Sequence, residues 1–547
     1  MAASSTGWVR PTALVGPGLR FVSAFRDFSR HPTTLAEARR VVTAAHQNRD
    51  RAFLDRLDEL VWPFPASPTA RLMACAGIER GDVLEMVEGR GLDGALERLR
   101  DAGVYVSYAE SLGQMPVRRG SARFELHPKD FRNPRSEADY MVVTGGSRSG
   151  GTEAQSNFHY IRRQSITRVL QTAMWAVNRV PTAAWAPVFP SAGIGTILKL
   201  TGAGNQPERW FSQIKPNLKG VTYHKQLANR MLQVIGPLRA VGLPPPEFVP
   251  ASAPEPVVAW VQEALGRASR VCLVTSSSCG AALGVYATEK GISLAGLVIF
   301  MGGEPVTRAK LEAVRSTGAV AVDSYAFVPE GTMAVSCPSC GPEEMHFWDH
   351  DNAVVGRRRD RADGVEVTSF CWTSLAPDAP RVLVNVENDD YGTLSVDAEP
   401  CACLIGELGM RTRLARIRGL TKVVTGGTTI PCELLERLVE EALPTHLGGG
   451  PGDYQFAEAE ENGGITGLIL RVDPRLGAID EAAAVGVVRE ALGSSDNGLL
   501  ARGVWGDRVR VQRTAPVRTP TAKLLPFEPL PAGSMSPIDP APDRDDG

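Results

Sequence analysis

The stretch from Pro256 to Ser324 alternates helix-like and strand-like segments in a rhythm that few folds can satisfy. "PVVAWVQEALGRA" has apolar residues three and four apart, and "RVCLVTS" is a short apolar run. A helix around Ala281 to Glu289, the strand "LAGLVIFMG", the helix "RAKLEAVRST" and the strand "AVAVDS" repeat the pattern. Parallel strands need a long return connection, so this alternation predicts a parallel sheet with helical crossovers. From Thr34 to about Gly103 the spacing is helical throughout, as in "LAEARRVVTAAHQNRDRAFLDRLDELV". Between Met333 and Asp397, "GVEVTSF" and "RVLVNVE" alternate instead, which predicts antiparallel strands in a second, distorted sheet. Beyond Gly419, the helix "CELLERLVEEAL", the strands "DYQFAEAEE" and "TGLILRV" and a helix near "DEAAAVGVVREAL" predict a compact α+β unit.

A chain of 547 residues is too long for one average domain. The expected division is a helical segment 1–103, a core 104–418, a small C-terminal unit 419–530 and a disordered, proline- and aspartate-rich tail 531–547. With 59 basic against 61 acidic residues, the chain has no broad positive field for nucleic acid or an anionic membrane. No apolar run reaches the roughly 18 residues of a membrane span, and the start has no signal-peptide core, so a cytoplasmic protein acting on a small molecule is expected. The nine scattered cysteines read as reduced thiols, some of them metal ligands.

"DYMVVTGGSRSGGTEAQSNFHYIRR", from Asp139, ends an apolar strand in a run of glycine and hydroxyl residues and leads into a helix expected from about Asn157 to Asn178. Gly145 and Gly150 have P-loop separation, but Gly151 stands where the phosphate-binding lysine belongs. The glycine spacing also fails the dinucleotide pattern. What remains is either a plain solvent loop or another kind of phosphate loop.

"TGGSRSGGT" resembles the phosphate loop of the adenylate-forming enzymes at Thr144, Gly146, Ser147 and Thr152, with Arg148 an added guanidinium donor. "FMGGEP" then resembles the turn beneath the adenine in phenylacetate–CoA ligase-like proteins, here Gly303, Glu304 and Pro305. "DSYAFVPEG" is similar to the segment carrying an adenine-stacking tyrosine, Tyr325, and a magnesium-binding glutamate, Glu330. "VNVENDDYGTL" resembles the segment whose aspartate accepts both ribose hydroxyls, Asp390 with Asp389 as rival. "PCACLIGELGMRTRLARIRGLTKVVTGGTTIP" is similar to the hinge region. There Leu420 replaces the usual arginine after the glycine and leaves Arg416 or Arg418 to serve. "APVRTPTAKLLPF" resembles the loop that brings the adenylation lysine, Lys523.

The resemblance implies an α/β fold: a large N-terminal adenylate-forming domain with mixed sheets and helical crossovers, plus a small α+β C-terminal domain. It implies an AMP-forming acid–thiol ligase that uses ATP and Mg2+ to make an acyl-adenylate and passes the acyl group to a thiol, with coenzyme A the expected acceptor. The alternatives are transfer to an amine or a carrier protein, activation of an unusual oxyacid such as nitrite, and a degenerate scaffold without catalysis. A homodimer is the quaternary state to test. His159 and Tyr160, at the start of the loop helix, are the candidate acid-binding residues, weighed against ordinary core packing.

"SCPSCGPEEMHFWDHD" and "PCAC" supply two soft-ligand clusters. Zn2+ would be held either by Cys337, Cys340, Cys401 and Cys403, or locally by Cys337, Cys340, His346 and His350, and four protein ligands would make the site structural. The alternative is two unremarkable reduced turns. Cys75, Cys272, Cys279, Cys371 and Cys432 are expected to be buried packing residues, with Cys279 lacking an ordered base to make it a nucleophile.

Overall fold

The structure, a computed structural model, describes residues 25, 27–136, 140–143, 153–187, 193–213, 243–251, 253–327, 330–360, 366–420, 422–425, 428–461, 465–494, 508–517 and 527–528. After a helical stretch at 27–30 come the helices Leu35–Gln47, Arg49–Leu60, Pro68–Ala76 and Arg80–Asp101, the last broken by a kink at Gly91. Two hairpins follow, β1 (Val117–Arg119) with β2 (Ala122–Phe124), and β3 (Tyr140–Val143) with β4 (Glu153–Ser156). The glycine-rich segment therefore joins two antiparallel strands, where the sequence suggested a strand-to-helix loop. Asn157 then caps the helix Phe158–Met174, its side chain accepting from the Tyr160 backbone N–H.

The centre is one sheet. Six strands, β5 (Thr182–Trp185), β6 (Arg209–Ser212), β7 (Pro246–Phe248), β8 (Val271–Ser276), β9 (Leu297–Gly302) and β10 (Val320–Phe327), run parallel in the order β7-β6-β5-β8-β9-β10. Helices Glu255–Arg267, Ser277–Glu289 and Arg308–Arg315 lie between consecutive strands, as the sequence rhythm predicts. Six more strands continue it in antiparallel fashion: β11 (Gly331–Val335), β12 (Glu344–Phe347), β13 (Asn352–Asp360), β14 (Glu366–Ser374), β15 (Val386–Val396) and β16 (Thr412–Gly419). The expected second sheet is thus an extension of the first, giving twelve strands in the order β13-β14-β15-β16-β12-β11-β10-β9-β8-β5-β6-β7. "RVLVNVE" becomes a strand only from Val386 onward.

Period-two alternation explains why the parallel strands read as unbroken apolar runs. Along β9, Leu297, Ile299 and Met301 enter one core with the helices Glu255–Arg267 and Ser277–Glu289, while Val298 and Phe300 enter the opposite core with the helix Phe158–Met174. A strand covered on both faces has no polar side to show. The antiparallel half buries Phe370, Trp372 and Leu414 against Phe53, Leu57, Val83 and Leu96 of the opening helices. Full burial of each such side chain contributes about 1.5–3 kcal/mol.

Past β16 come a short hairpin, β17 (Lys422–Thr425) with β18 (Thr428–Pro431), and a four-stranded sheet β21-β20-β19-β22. Its strands are β19 (Tyr454–Glu461), β20 (Ile465–Val472), β21 (Val509–Gln512) and β22 (Phe527–Glu528). They share a core with helical segments Cys432–Arg437, Leu443–Leu447 and Glu481–Ser494, a π-helical turn at Leu438–Ala442 interrupting the first helix. Among the described residues no helix is long and apolar enough to cross a membrane.

Candidate functional site

The carboxyl ends of parallel strands are where open α/β sheets bind ligands, because the adjoining loops and helix N-termini converge there. At this edge β8 passes directly into the helix Ser277–Glu289, capped by Ser276, and β9 ends in the turn Gly302 to Pro305. Gly302 pairs with Ser324 on β10, and a Cβ there would meet the Ser324 carbonyl oxygen at 2.3 Å, so the close approach of these strand ends requires glycine. Gly303, at φ +79°, turns the chain away. Glu304 is buried and faces Lys310, itself buried, at 3.5 Å; the Lys310 ammonium also donates to the Pro305 carbonyl at 2.9 Å. The turn is therefore pinned by a cation from the next helix.

One strand over, the Tyr325 hydroxyl donates to Asp390 Oδ2 at 2.6 Å, and Asn388 Nδ2 donates to Tyr325 Oη at 2.7 Å and to Asp390 Oδ2 at 2.9 Å. Burial first, and Asp390 second, push the Tyr325 phenol well above its ordinary range, so it stays a donor. Asp390 sits on β15 opposite Gly419, and Tyr391 opposite Arg418, which places the candidate ribose carboxylate beside the candidate hinge. Asp389, at φ +72°, is buried, and its carbonyl accepts the Leu420 N–H. Arg418 is buried, with Nη2 donating to Glu343 at 2.6 Å, whereas Arg416 is exposed. Near that pair, burial and then Glu343 push the Asp323 carboxyl up to about 8, with Arg418 pulling the other way.

Glu330 lies just past β10. Its carboxylate is gripped by Arg381 through two charge-assisted bonds, Nε at 2.6 Å and Nη2 at 2.5 Å, and its backbone carbonyl accepts the Tyr160 hydroxyl at 2.9 Å. Tyr160 is buried against Ala376 and Ala379, while His159 beside it is exposed. These residues do not fit a magnesium ion at Glu330. Both oxygens are engaged by a guanidinium, and a divalent ion about 4 Å from that charge would meet repulsion on the order of 8 kcal/mol at an effective dielectric of about 20.

The thiols form a separate cluster beneath the sheet. Ligand atoms of Cys337, His346, Cys401 and Cys403 lie within 4.8 Å of one another. Cys337 Sγ and Cys401 Sγ are 3.9 Å apart, and Cys403 Sγ is 3.4 Å from His346 Nε2. A tetrahedral zinc ion with bonds near 2.3 Å to sulfur places two thiolates about 3.8 Å apart, so the donors fit. Hydrogen bonds from Cys340 and then Cys403 pull the Cys337 thiol down. Cys340 lies 3.5 Å from Cys337 Sγ and accepts from Arg413 Nη1. His350 is not in the group: it is buried 3.5 Å from Thr167 Oγ1 and 3.4 Å from Asp351 Oδ2.

Cys272, Cys279 and Cys371 are buried as expected, and burial raises each thiol, that of Cys272 to about 12. Cys75 is exposed, against expectation, because Leu72 and Met73 take the inward face of its helix. Thr144, Gly146, Ser147, Arg148, Thr152 and Lys523 lie outside the described residues, as do the side-chain surroundings of Cys432. Asn388, Arg381, Glu343 and Lys310 were not singled out from sequence. Asn388 stands inside "VNVENDDYGTL", but Arg381 meets a glutamate 51 residues away, and no local pattern signals that.

No family model matches the sequence, and no curated protein matches it. Among solved structures, the fold is similar to that of a 2-hydroxyisobutyryl-CoA ligase in complex with its acyl-AMP and CoA, with TM-score 0.53, 14% identity and 91% of each chain covered. An amide bond synthetase from Marinactinospora thermotolerans is more distant, at TM-score 0.40 and 13% identity over 93% of this chain and 97% of that one. At such identity the likeness is one of fold, and the α/β architecture with its large mixed sheet and smaller C-terminal unit is the adenylate-forming fold.

Proposed function

We propose that the protein activates a carboxylic acid with ATP, forming an acyl-adenylate and pyrophosphate, and transfers the acyl group to a thiol, with coenzyme A the favoured acceptor. The observation that carries this reading is the Tyr325–Asn388–Asp390 triad at the carboxyl edge of the sheet, beside the Gly302–Pro305 turn. A carboxylate oriented by two neutral donors suits a pair of vicinal ribose hydroxyls, and the strand-end turn next to it offers a flat seat for a purine.

In the reaction, the carboxylate oxygen of the acid attacks the α-phosphorus, the bond to the pyrophosphate oxygen breaks, and a mixed anhydride results. Two anions must meet, so the protein has to supply cations and fixed donors. The residues assigned to this are Lys523, Arg148 and the hydroxyl and amide groups of Thr144, Gly146, Ser147 and Thr152. Arg418, held by Glu343, is assigned to the nucleotide side of the hinge. His159, exposed at the start of its helix, and the buried Tyr160 beside it are assigned to the acid-binding side. The four ligands Cys337, His346, Cys401 and Cys403 are assigned to a structural Zn2+; Cys340 is the thiol that would complete the all-cysteine alternative. Transfer to an amine or to a carrier protein uses the same first step.

The test is ATP–pyrophosphate exchange across small, aromatic and fatty acids, followed by product analysis with coenzyme A or an amine. Exchange with no acid in the screen, from protein that also fails to bind ATP, would favour a non-catalytic scaffold.

A further inference from the structure

The adenylate-forming resemblance gives Glu330 one role, a magnesium ligand, and the structure gives its carboxylate a different partner. We infer that Arg381 is the cation this edge presents to the phosphates of the nucleotide, and that Glu330 positions that guanidinium instead of holding a metal.

The asymmetry of the pair supports this. The Glu330 side chain is 1% exposed and that of Arg381 is 31% exposed, so the cation is the half-buried member of the pair that reaches solvent. A guanidinium has five N–H donors; Glu330 takes one from Nε and one from Nη2, which leaves three in a fixed plane. The backbone of Arg381 is also fastened, its carbonyl accepting from Arg56 Nη2 at 2.7 Å and from Ser374 Oγ at 3.0 Å. Glu330 is fastened in turn by the Tyr160 hydroxyl, which donates to its backbone carbonyl. Burial opposes the Arg381 charge, and the attraction and hydrogen bonds of Glu330 outweigh it, raising the guanidinium above its ordinary range. A rigid, planar, permanently charged fork suits a phosphate oxyanion better than it suits any neutral group.

The inference rests on the proposed adenylation only for the identity of the anion. The experiment uses the full chain, Mn2+ as the metal probe and a non-hydrolysable ATP analogue. Without nucleotide, electron paramagnetic resonance should show no Mn2+ site that Glu330→Gln removes. With the analogue, wild type and Glu330→Gln should hold the same number of Mn2+ ions. Arg381→Met should weaken analogue binding tenfold or more, and Arg381→Lys, which keeps the charge but loses the fork, should lie between. A Glu330-dependent Mn2+ site in the wild type overturns the inference, as does analogue affinity unchanged in both Arg381 variants. If the wild type binds no analogue, the proposed function fails, while the nucleotide-free Mn2+ measurement still judges Glu330 separately.

Discussion

At the scale of single residues, the site is a set of buried polar groups whose worth lies in being paired. Removing the Tyr325 hydroxyl leaves Asp390 and Asn388 short of a partner in a buried place, which costs about 1–3 kcal/mol. Tyr325→Phe should therefore weaken binding of an ATP analogue by roughly tenfold or more, read by calorimetry, while the same substitution at an exposed tyrosine would not. Asp323 makes a different prediction. Its folded carboxyl titrates near 8, far above the unfolded value, so the folded state binds the extra proton through the interval between them. Stability is then full at low pH and is lost as pH rises from about 4 toward 8. Asp323→Asn removes that loss, so the urea midpoint of the variant relative to wild type should climb steadily between pH 5 and 8; a pH-independent difference would contradict it.

At the scale of elements, pleat and register decide which motif residues can meet. Along β12, Met345 and Phe347 enter the core under the opening helices, so His346 must point to the other face, where Cys337 and Cys403 lie. His350 falls beyond the end of that strand and outside its alternation. Sequence spacing listed all these ligands but could not choose among them, because the choice depends on the antiparallel pairing of Met345 with Leu414, 69 residues away. Zinc bound at Cys337, His346, Cys401 and Cys403 should appear as one equivalent per chain, fall sharply in Cys403→Ser and His346→Ala, and survive in His350→Ala. Chelation should lower the melting temperature of the wild type, since an ion bound only by the folded chain stabilises it by mass action. Gly302→Ala should cost about 1–3 kcal/mol by forcing β9 and β10 apart, read as a shifted denaturation midpoint.

At the scale of the whole molecule, the legible and illegible parts divide along one line. β8, β9 and β10 were readable because each of them and each crossover helix carries its own local signal, from Val257 through Val322, whereas β5, β6 and β7, three or four residues each, are too short to carry one and were not read. The antiparallel half was mistaken for a second sheet because its membership rests on long-range pairing, such as β12 with β16, that leaves no local trace. The same division holds for the site: Tyr325 and Asp390 sit in recognisable segments, while Arg381 acquires its role only when the loop between β14 and β15 folds back onto Glu330. Lys523 extends this to the C-terminal unit, whose core is built separately around Tyr454, Phe456, Leu468 and Leu470. A lysine used only when that unit delivers it to the nucleotide should leave the fold untouched when removed. Lys523→Ala should lower acid-dependent pyrophosphate exchange by roughly 10²–10³-fold, the scale of losing one fixed charge or donor at a reacting centre. Stability should stay within about 0.5 kcal/mol of wild type. Transfer from a supplied acyl-adenylate to the thiol should persist, because that step no longer needs charge stabilised at the α-phosphate. Loss of both half-reactions together would instead make Lys523 a general binding residue.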